Sequence, residues 1–155
     1  PVYGSKSIFY VTAYTPATAY QLRPEGDGFR AERAWKCSLD TVTGGAILVD
    51  GILYASGYSR SKWWFGLDWR TGQTLAELKG LTTGAAVYAD GRLYCMAEDG
   101  RVALLKPEDE GFKVAGQFRL VPKRVSDAWV HPVLLDGRLY LRYHETLWCY
   151  DVRTR

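Results

Sequence analysis

The side chains able to do chemistry in this sequence are few and scattered. Asp127, Trp129 and His131 alternate, so in a regular extended strand their side chains share one face. A carboxylate and an imidazole on one face could bind a polar ligand or orient a proton transfer. The plainer alternative is that His131 hydrogen-bonds a neighbouring structural unit. Arg60 and Lys62, Glu98 and Asp99, and His144 and Glu145 form three further charged pairs, each in a turn-like stretch. Trp63-Trp64 could stack on a sugar, but adjacent strand residues point to opposite faces, which favours packing of both rings. Gly44-Gly45 precedes a strand rather than a helix, so it reads as a turn and not as a phosphate cradle. No P-loop, dinucleotide fingerprint, nucleophile elbow or zinc-protease motif occurs.

The elements that position these residues are set by a recurring phrase. Asp90-Gly91-Arg92-Leu93-Tyr94-Cys95 repeats at Asp50-Gly51-Ile52-Leu53-Tyr54-Ala55 and Asp136-Gly137-Arg138-Leu139-Tyr140-Leu141, with a degenerate copy at Lys6-Ser7-Ile8-Phe9-Tyr10-Val11. Asp-Gly accepts the positive φ angles of a two-residue hairpin turn, so each copy predicts a tight β-hairpin. Gly51 and Gly91 are 40 residues apart, Gly91 and Gly137 46. That period, with only strand signals inside it, predicts an all-β fold, a β-propeller of four-stranded antiparallel blades. The blades are expected over about 1–40, 41–81, 82–121 and 122–155.

Within them, strands are expected at Pro1–Tyr3, Ile8–Thr12, Ala17–Leu22 and Arg30–Cys37; Ala46–Val49, Ile52–Ser56, Trp63–Asp68 and Thr74–Leu78; Ala85–Ala89, Leu93–Ala97, Val102–Lys106 and Phe112–Leu120; and Trp129–Leu135, Leu139–Tyr143 and Thr146–Val152. Pro24–Gly28 and Pro107–Gly111 are expected as enlarged turns. In a propeller the turns between second and third strands share one face with the links between blades. Arg60, Lys62, Glu98, Asp99, Asp127, His131, His144 and Glu145 should therefore gather there, with Arg60, Lys62, Asp127, Trp129, His131 and His144 as candidate ligand-binding residues and no catalytic or metal-binding set.

Composition narrows the function classes. With 47% hydrophobic and 14% aromatic residues the chain can bury a core. The net charge of +3 comes without any run of Lys or Arg, which argues against nucleic acid as a partner, and no apolar run is long enough for a transmembrane helix. Cys37, Cys95 and Cys149 are too far apart for a metal knuckle. Cys95 and Cys149 sit in apolar strand runs and are expected to be buried.

The phrase Gly66-Leu67-Asp68-Trp69-Arg70-Thr71-Gly72-Gln73-Thr74 resembles the blade signature of quinoprotein-type, pyrroloquinoline-quinone-like repeat propellers, matching at Asp68, Thr71 and Gly72. Ala76 stands where that family places its docking tryptophan, and Trp35 can take the role in the first repeat. The stretches Trp129-Val130-His131-Pro132-Val133 and Leu147-Trp148-Cys149-Tyr150-Asp151-Val152 resemble a C-terminal blade of such proteins. The resemblance implies an extracytoplasmic location, although no signal-peptide pattern opens the sequence, and about seven or eight blades in a whole ring. It also reaches outer-membrane assembly scaffolds, which implies a cofactor-free binding module for a protein or polysaccharide. The alternative it implies is an alcohol-dehydrogenase-type oxidoreductase using pyrroloquinoline quinone and calcium. That cofactor site needs an Asn and an adjacent cysteine pair, and the sequence contains neither. The tail through Thr154 stops before the Gly of the signature, so a missing outer strand, supplied by upstream blades or a second copy, is a further expectation.

Overall fold

The computed structural model describes residues 1–4, 6–12, 14–109 and 111–153, with residues 10–12 described by their backbone. It is all-β. Blade 1 is built from β1 (Val2–Gly4), β2 (Ser7–Thr12), β3 (Thr15–Glu25) and β4 (Gly28–Lys36). Blade 2 follows with β5 (Ala46–Val49), β6 (Ile52–Ser56), β7 (Trp64–Asp68) and β8 (Thr74–Leu78). Blade 3 comprises β9 (Gly84–Ala89), β10 (Arg92–Ala97), β11 (Arg101–Glu108) and β12 (Gly111–Arg119). Blade 4 has three described strands, β13 (Val133–Leu135), β14 (Arg138–Tyr143) and β15 (Thr146–Asp151). Every sheet runs in sequence order with antiparallel neighbours, and β1, β5, β9 and β13 lie side by side as the inner strands.

The Asp-Gly phrases do what their chemistry requires. Asp50, Asp90 and Asp136 have φ of 47°, 48° and 49°, and Gly51, Gly91 and Gly137 have 82°, 68° and 70°. Both turn residues are left-handed, as a twist-matched two-residue hairpin demands. The degenerate first copy is shifted by one residue: Gly4 pairs with Ser7, so β2 opens at Ser7 rather than Ile8.

Three apolar layers hold the blades together. Phe9, Ala19 and Trp35 meet Leu53, Phe65 and Leu67 between blades 1 and 2. Ile52, Tyr54 and Trp64 meet Leu93, Cys95 and Leu105 between blades 2 and 3. Met96 and Val102 meet Leu139, Leu141 and Tyr143 between blades 3 and 4. Blades 2 and 3 are thus covered on both faces, which is why β6 is buried along its whole length and shows no polar alternation. Trp63 packs into the first layer and Trp64 into the second, so both rings serve packing.

Four expectations need correction. Pro24 and Glu25 belong to β3, and Pro107 and Glu108 to β11. Pairing of β3 with β2 and of β11 with β10 has ended by Gln21 and Leu105, so each proline sits where its missing N–H breaks no ladder bond. The enlarged turns are instead long two-stranded arms; Glu110, in the second of them, lies outside the described residues. In blade 4 the strand begins at Val133, not Trp129: Pro132 has no N–H for the ladder, and Trp129 and His131 before it are drawn to Glu98 and Thr43. Cys149 is exposed, since β15 turns it away from blade 3. Thr154, the last residue matched to the signature, lies outside the described residues.

Candidate functional site

The loop face opposite the Asp-Gly turns is assembled from links between blades and from the ends of the second strands. Asp40, in the link after β4, is buried and accepts the N–H groups of Tyr58 at 3.3 Å and Ser59 at 3.2 Å, and the Ser59 hydroxyl. Burial raises its pKa, but these hydrogen bonds and the Arg60 N–H outweigh burial and hold the carboxyl below its ordinary range. Asp40 thereby fixes the loop that carries Arg60 and Lys62. The Lys62 ammonium stands 5.9 Å from the Tyr58 ring centre, and Tyr58 meets exposed Tyr14 edge-on at 5.6 Å. Neither Arg60 nor Lys62 forms an ion pair among the described residues.

Glu98 follows β10 directly and is only 6% exposed. Its N–H donates to Thr83 O at 2.8 Å and its carbonyl accepts Ala128 N–H at 3.2 Å, so its backbone joins three segments. Its Oε1 has no hydrogen-bond partner among the described residues. Burial pushes its carboxyl above the ordinary range, opposed by Arg124 and Lys62 and by the Trp129 indole, with Asp99 adding to the rise. Trp129 is 57% exposed beside it. The Asp99 carboxylate accepts Arg101 Nε–H at 2.7 Å, and Asp127 is paired with Arg124.

The segment from Leu120 to Pro132 contains no strand, so the expected alternation of Asp127, Trp129 and His131 on one face is not realised. Asp127 turns to Arg124, Trp129 lies over Glu98, and His131 leaves in another direction. Its Nε2–H donates to Thr43 O at 2.6 Å, in the link before β5. The acceptor is a carbonyl, so Nε2 carries the proton. Tyr143 clamps the same segment, donating to Ser126 O at 2.6 Å and accepting Val125 N–H at 3.1 Å. His144, at φ 53°, sits within 2.6 Å of Ser126 Oγ through Nε2.

The structure thus brings Lys62, Glu98, Asp99, Trp129 and, through Arg124, Asp127 into one neighbourhood. His144 adjoins the segment that carries them, while His131 is held away at Thr43. Arg124, Tyr58 and Asp40 escaped the sequence reading, because their roles arise where loops of different blades meet. Gly44 also has a role beyond a turn: a Cβ there would lie 2.0 Å from Gly84 O, so the link before β5 touches the start of β9 where only glycine fits.

Among the described residues no donor set for a quinone-and-calcium site is assembled. Among the described residues, no three His, Cys, Asp or Glu side chains come together in metal-ligating geometry, and the oxygens of Asp99 and Asp127 are committed to Arg101 and Arg124. Cys37, Cys95 and Cys149 lie in different blades or links.

No family model matches the sequence, and no curated protein does. Among solved structures, the crystal structure of BamB from Moraxella catarrhalis is similar, with a TM-score of 0.64 at 14% identity over 90% of this chain. The chain spans 38% of the length of that protein. The likeness is one of fold, and it agrees with the blade architecture described above. No helix among the described residues is long and apolar enough to cross a membrane.

Proposed function

We propose that this chain is a non-catalytic β-propeller scaffold, located outside the cytoplasm, that engages a protein or polysaccharide through its loop face. The observation that carries the reading is the exposed Trp129 ring beside the buried, partly unsatisfied Glu98, ringed by Lys62 and Arg124. An exposed aromatic, a desolvated hydrogen-bond acceptor and two nearby cations, of which Lys62 is in no ion pair among the described residues, form the composition of a binding hot spot. The fold shared with BamB and the resemblance to outer-membrane assembly scaffolds support the same reading.

The test uses two anionic probes, polyglutamate for a polypeptide and alginate for a polysaccharide, captured on a sensor surface. Arg60→Ala combined with Lys62→Ala should weaken binding of the preferred probe several-fold and leave Tm nearly unchanged, since exposed charges contribute little to folding. Unchanged affinity beside a large loss of Tm would move both residues into a structural role and overturn the reading.

A further inference from the structure

On the Asp-Gly side of the molecule, away from the loop face, the wedges between blades are filled unequally. Blades 1, 2 and 3 each carry a bulge at the same place in their outer pair, between Ala19 and Tyr20, Gly66 and Leu67, and Leu104 and Leu105. The outer-strand residue paired just before the bulge is Trp35 in blade 1, Ala76 in blade 2 and Gly116 in blade 3.

Trp35 shows what this position does. Its ring covers Gly72 of the next blade so closely that a Cβ on Gly72 would meet it at 2.4 Å. Its indole N–H donates to Trp69 O at 2.9 Å, and Phe9 stands 5.8 Å away centre to centre. Trp69 fills the adjoining space against Gly4. Two indoles therefore close the wedge between blades 1 and 2.

Between blades 3 and 4 both indoles are missing. Gly116 replaces Trp35, and Val152 replaces Trp69; the second equivalence is fixed by Val152 N–H donating to Gly137 O at 2.9 Å, as Trp69 N–H donates to Gly51 O at 2.9 Å. A cleft of about 570 Å³ opens there, lined by Tyr94, Leu104, Leu134 and Val152 together with the charged Asp90, Asp136, Arg92 and Arg153. Leu104 is the register partner of Gly116, and a Cβ on Gly116 would meet no heavy atom within 4 Å. Tyr94 holds the place in β10 that Tyr54 holds in β6; the Tyr54 hydroxyl donates to Gly111 O at 2.9 Å, but the Tyr94 hydroxyl has no partner among the described residues. Asp90 and Asp136 stand at the rim, neither in an ion pair among the described residues.

We propose that this cleft binds the indole side chain of a tryptophan residue presented by another polypeptide. The filled wedge of the same chain supplies the template: an indole lying between two blades, its edge hydrogen-bonded to the turn of the second. An apolar floor accepts the ring, which brings a large burial of apolar surface with little loss of rotamer freedom. The Tyr94 hydroxyl and the rim carboxylates face the polar groups of the incoming chain. The site is separate from the loop face and holds whether or not that face binds a partner.

The probe is N-acetyl-5-fluorotryptophanamide, followed by fluorine NMR so that the protein's own tryptophans stay silent. Saturable broadening is expected with the wild-type protein. Gly116→Trp, which supplies the missing indole from within, should raise Tm and weaken probe binding at least tenfold. Val152→Trp fills the cleft from the other blade and should do the same, which keeps the test intact if the first variant misfolds. Absence of saturable binding would overturn the proposal, as would undiminished binding to a natively folded Gly116→Trp or Val152→Trp protein. Equal binding of N-acetyl-4-fluorophenylalaninamide would remove the selectivity for indole and overturn it too.

Discussion

Asp40 and Glu98 are both buried carboxylates on the loop face, yet their surroundings drive them in opposite directions. Asp40 collects donors from the Tyr58–Arg60 loop and stays ionised below its ordinary range, whereas burial dominates at Glu98 and favours the protonated form. Folded Glu98 therefore holds its proton at pH values where the unfolded chain has released it. The folded state binds more protons there, so this group lowers stability as pH rises from the ordinary glutamate range through the folded pKa. Asp40 acts with the other sign: its contribution is present above the unfolded pKa and fades as pH falls through its folded value. Glu98→Gln keeps the shape and removes the ionisation. From the ordinary glutamate range upward, its Tm should gain on the wild-type Tm as pH rises, until the folded carboxyl has ionised. Parallel Tm curves would show that the Glu98 carboxyl carries no such cost. The sequence marks Glu98 as a loop-face acid but not as a buried one, because its burial comes from Ala128 and Trp129, thirty residues further on.

Among the elements, the strands of blades 2 and 3 were legible because Asp-Gly turns and apolar runs agree on the same hairpins. The misjudged stretches have physical causes. Pro24 and Pro107 are turn formers by type, but each falls on the free side of a strand that has outrun its inner neighbour. The strand-like run Trp129–Pro132 was drawn out of the sheet by contacts with Glu98 and Thr43, which local sequence does not display. The expectation that Trp35 docks between blades is met in full, by the contact with Gly72 and the bond to Trp69 O. That single ring ties β4 to the Asp68–Gly72 turn, whose own shape rests on Asp68 Oδ1 accepting Thr71 N–H at 2.8 Å and Arg70 N–H at 2.9 Å. Trp35→Ala should cost about 3–5 kcal/mol in urea unfolding, as expected for a buried aromatic truncated in a core that cannot collapse around the gap. Gly72 would not refill the space, because it carries no side chain. A loss below about 1 kcal/mol would mean that blades 1 and 2 are held by the remaining layer alone.

At the scale of the whole molecule, the arc of blades leaves two sheet faces uncovered. Blade 4 presents Val133, Leu135 and Leu147, each more than half exposed at 53%, 58% and 63%, on the side away from blade 3. Register places Val133, Tyr140 and Cys149 in one row, Leu135, Arg138 and Asp151 in another, and Arg142 beside Leu147. This is one face, with apolar residues on its inner and outer strands and two arginines on the strand between. Among the described residues β15 is paired only with β14, so its outer edge offers unpaired backbone groups as well. Blade 1 exposes Tyr3 on its far side, at 66%. Blades 2 and 3 show what such faces do when covered: each is sealed by an apolar layer from a neighbour. We propose that the open faces are covered in the working assembly by further blades or by a second copy of this chain. The isolated chain should then self-associate, because contiguous apolar surface beside an unpaired strand edge favours contact with another copy. Sedimentation velocity over a dilution series should show the sedimentation coefficient rising with concentration. Leu135→Lys with Leu147→Lys places two charges on the open face without touching the layer against blade 3, so circular dichroism should be unchanged while association weakens. A wild-type protein that sediments as a monomer at every concentration, with both substitutions silent, would mean that the face is tolerated in water and needs no cover.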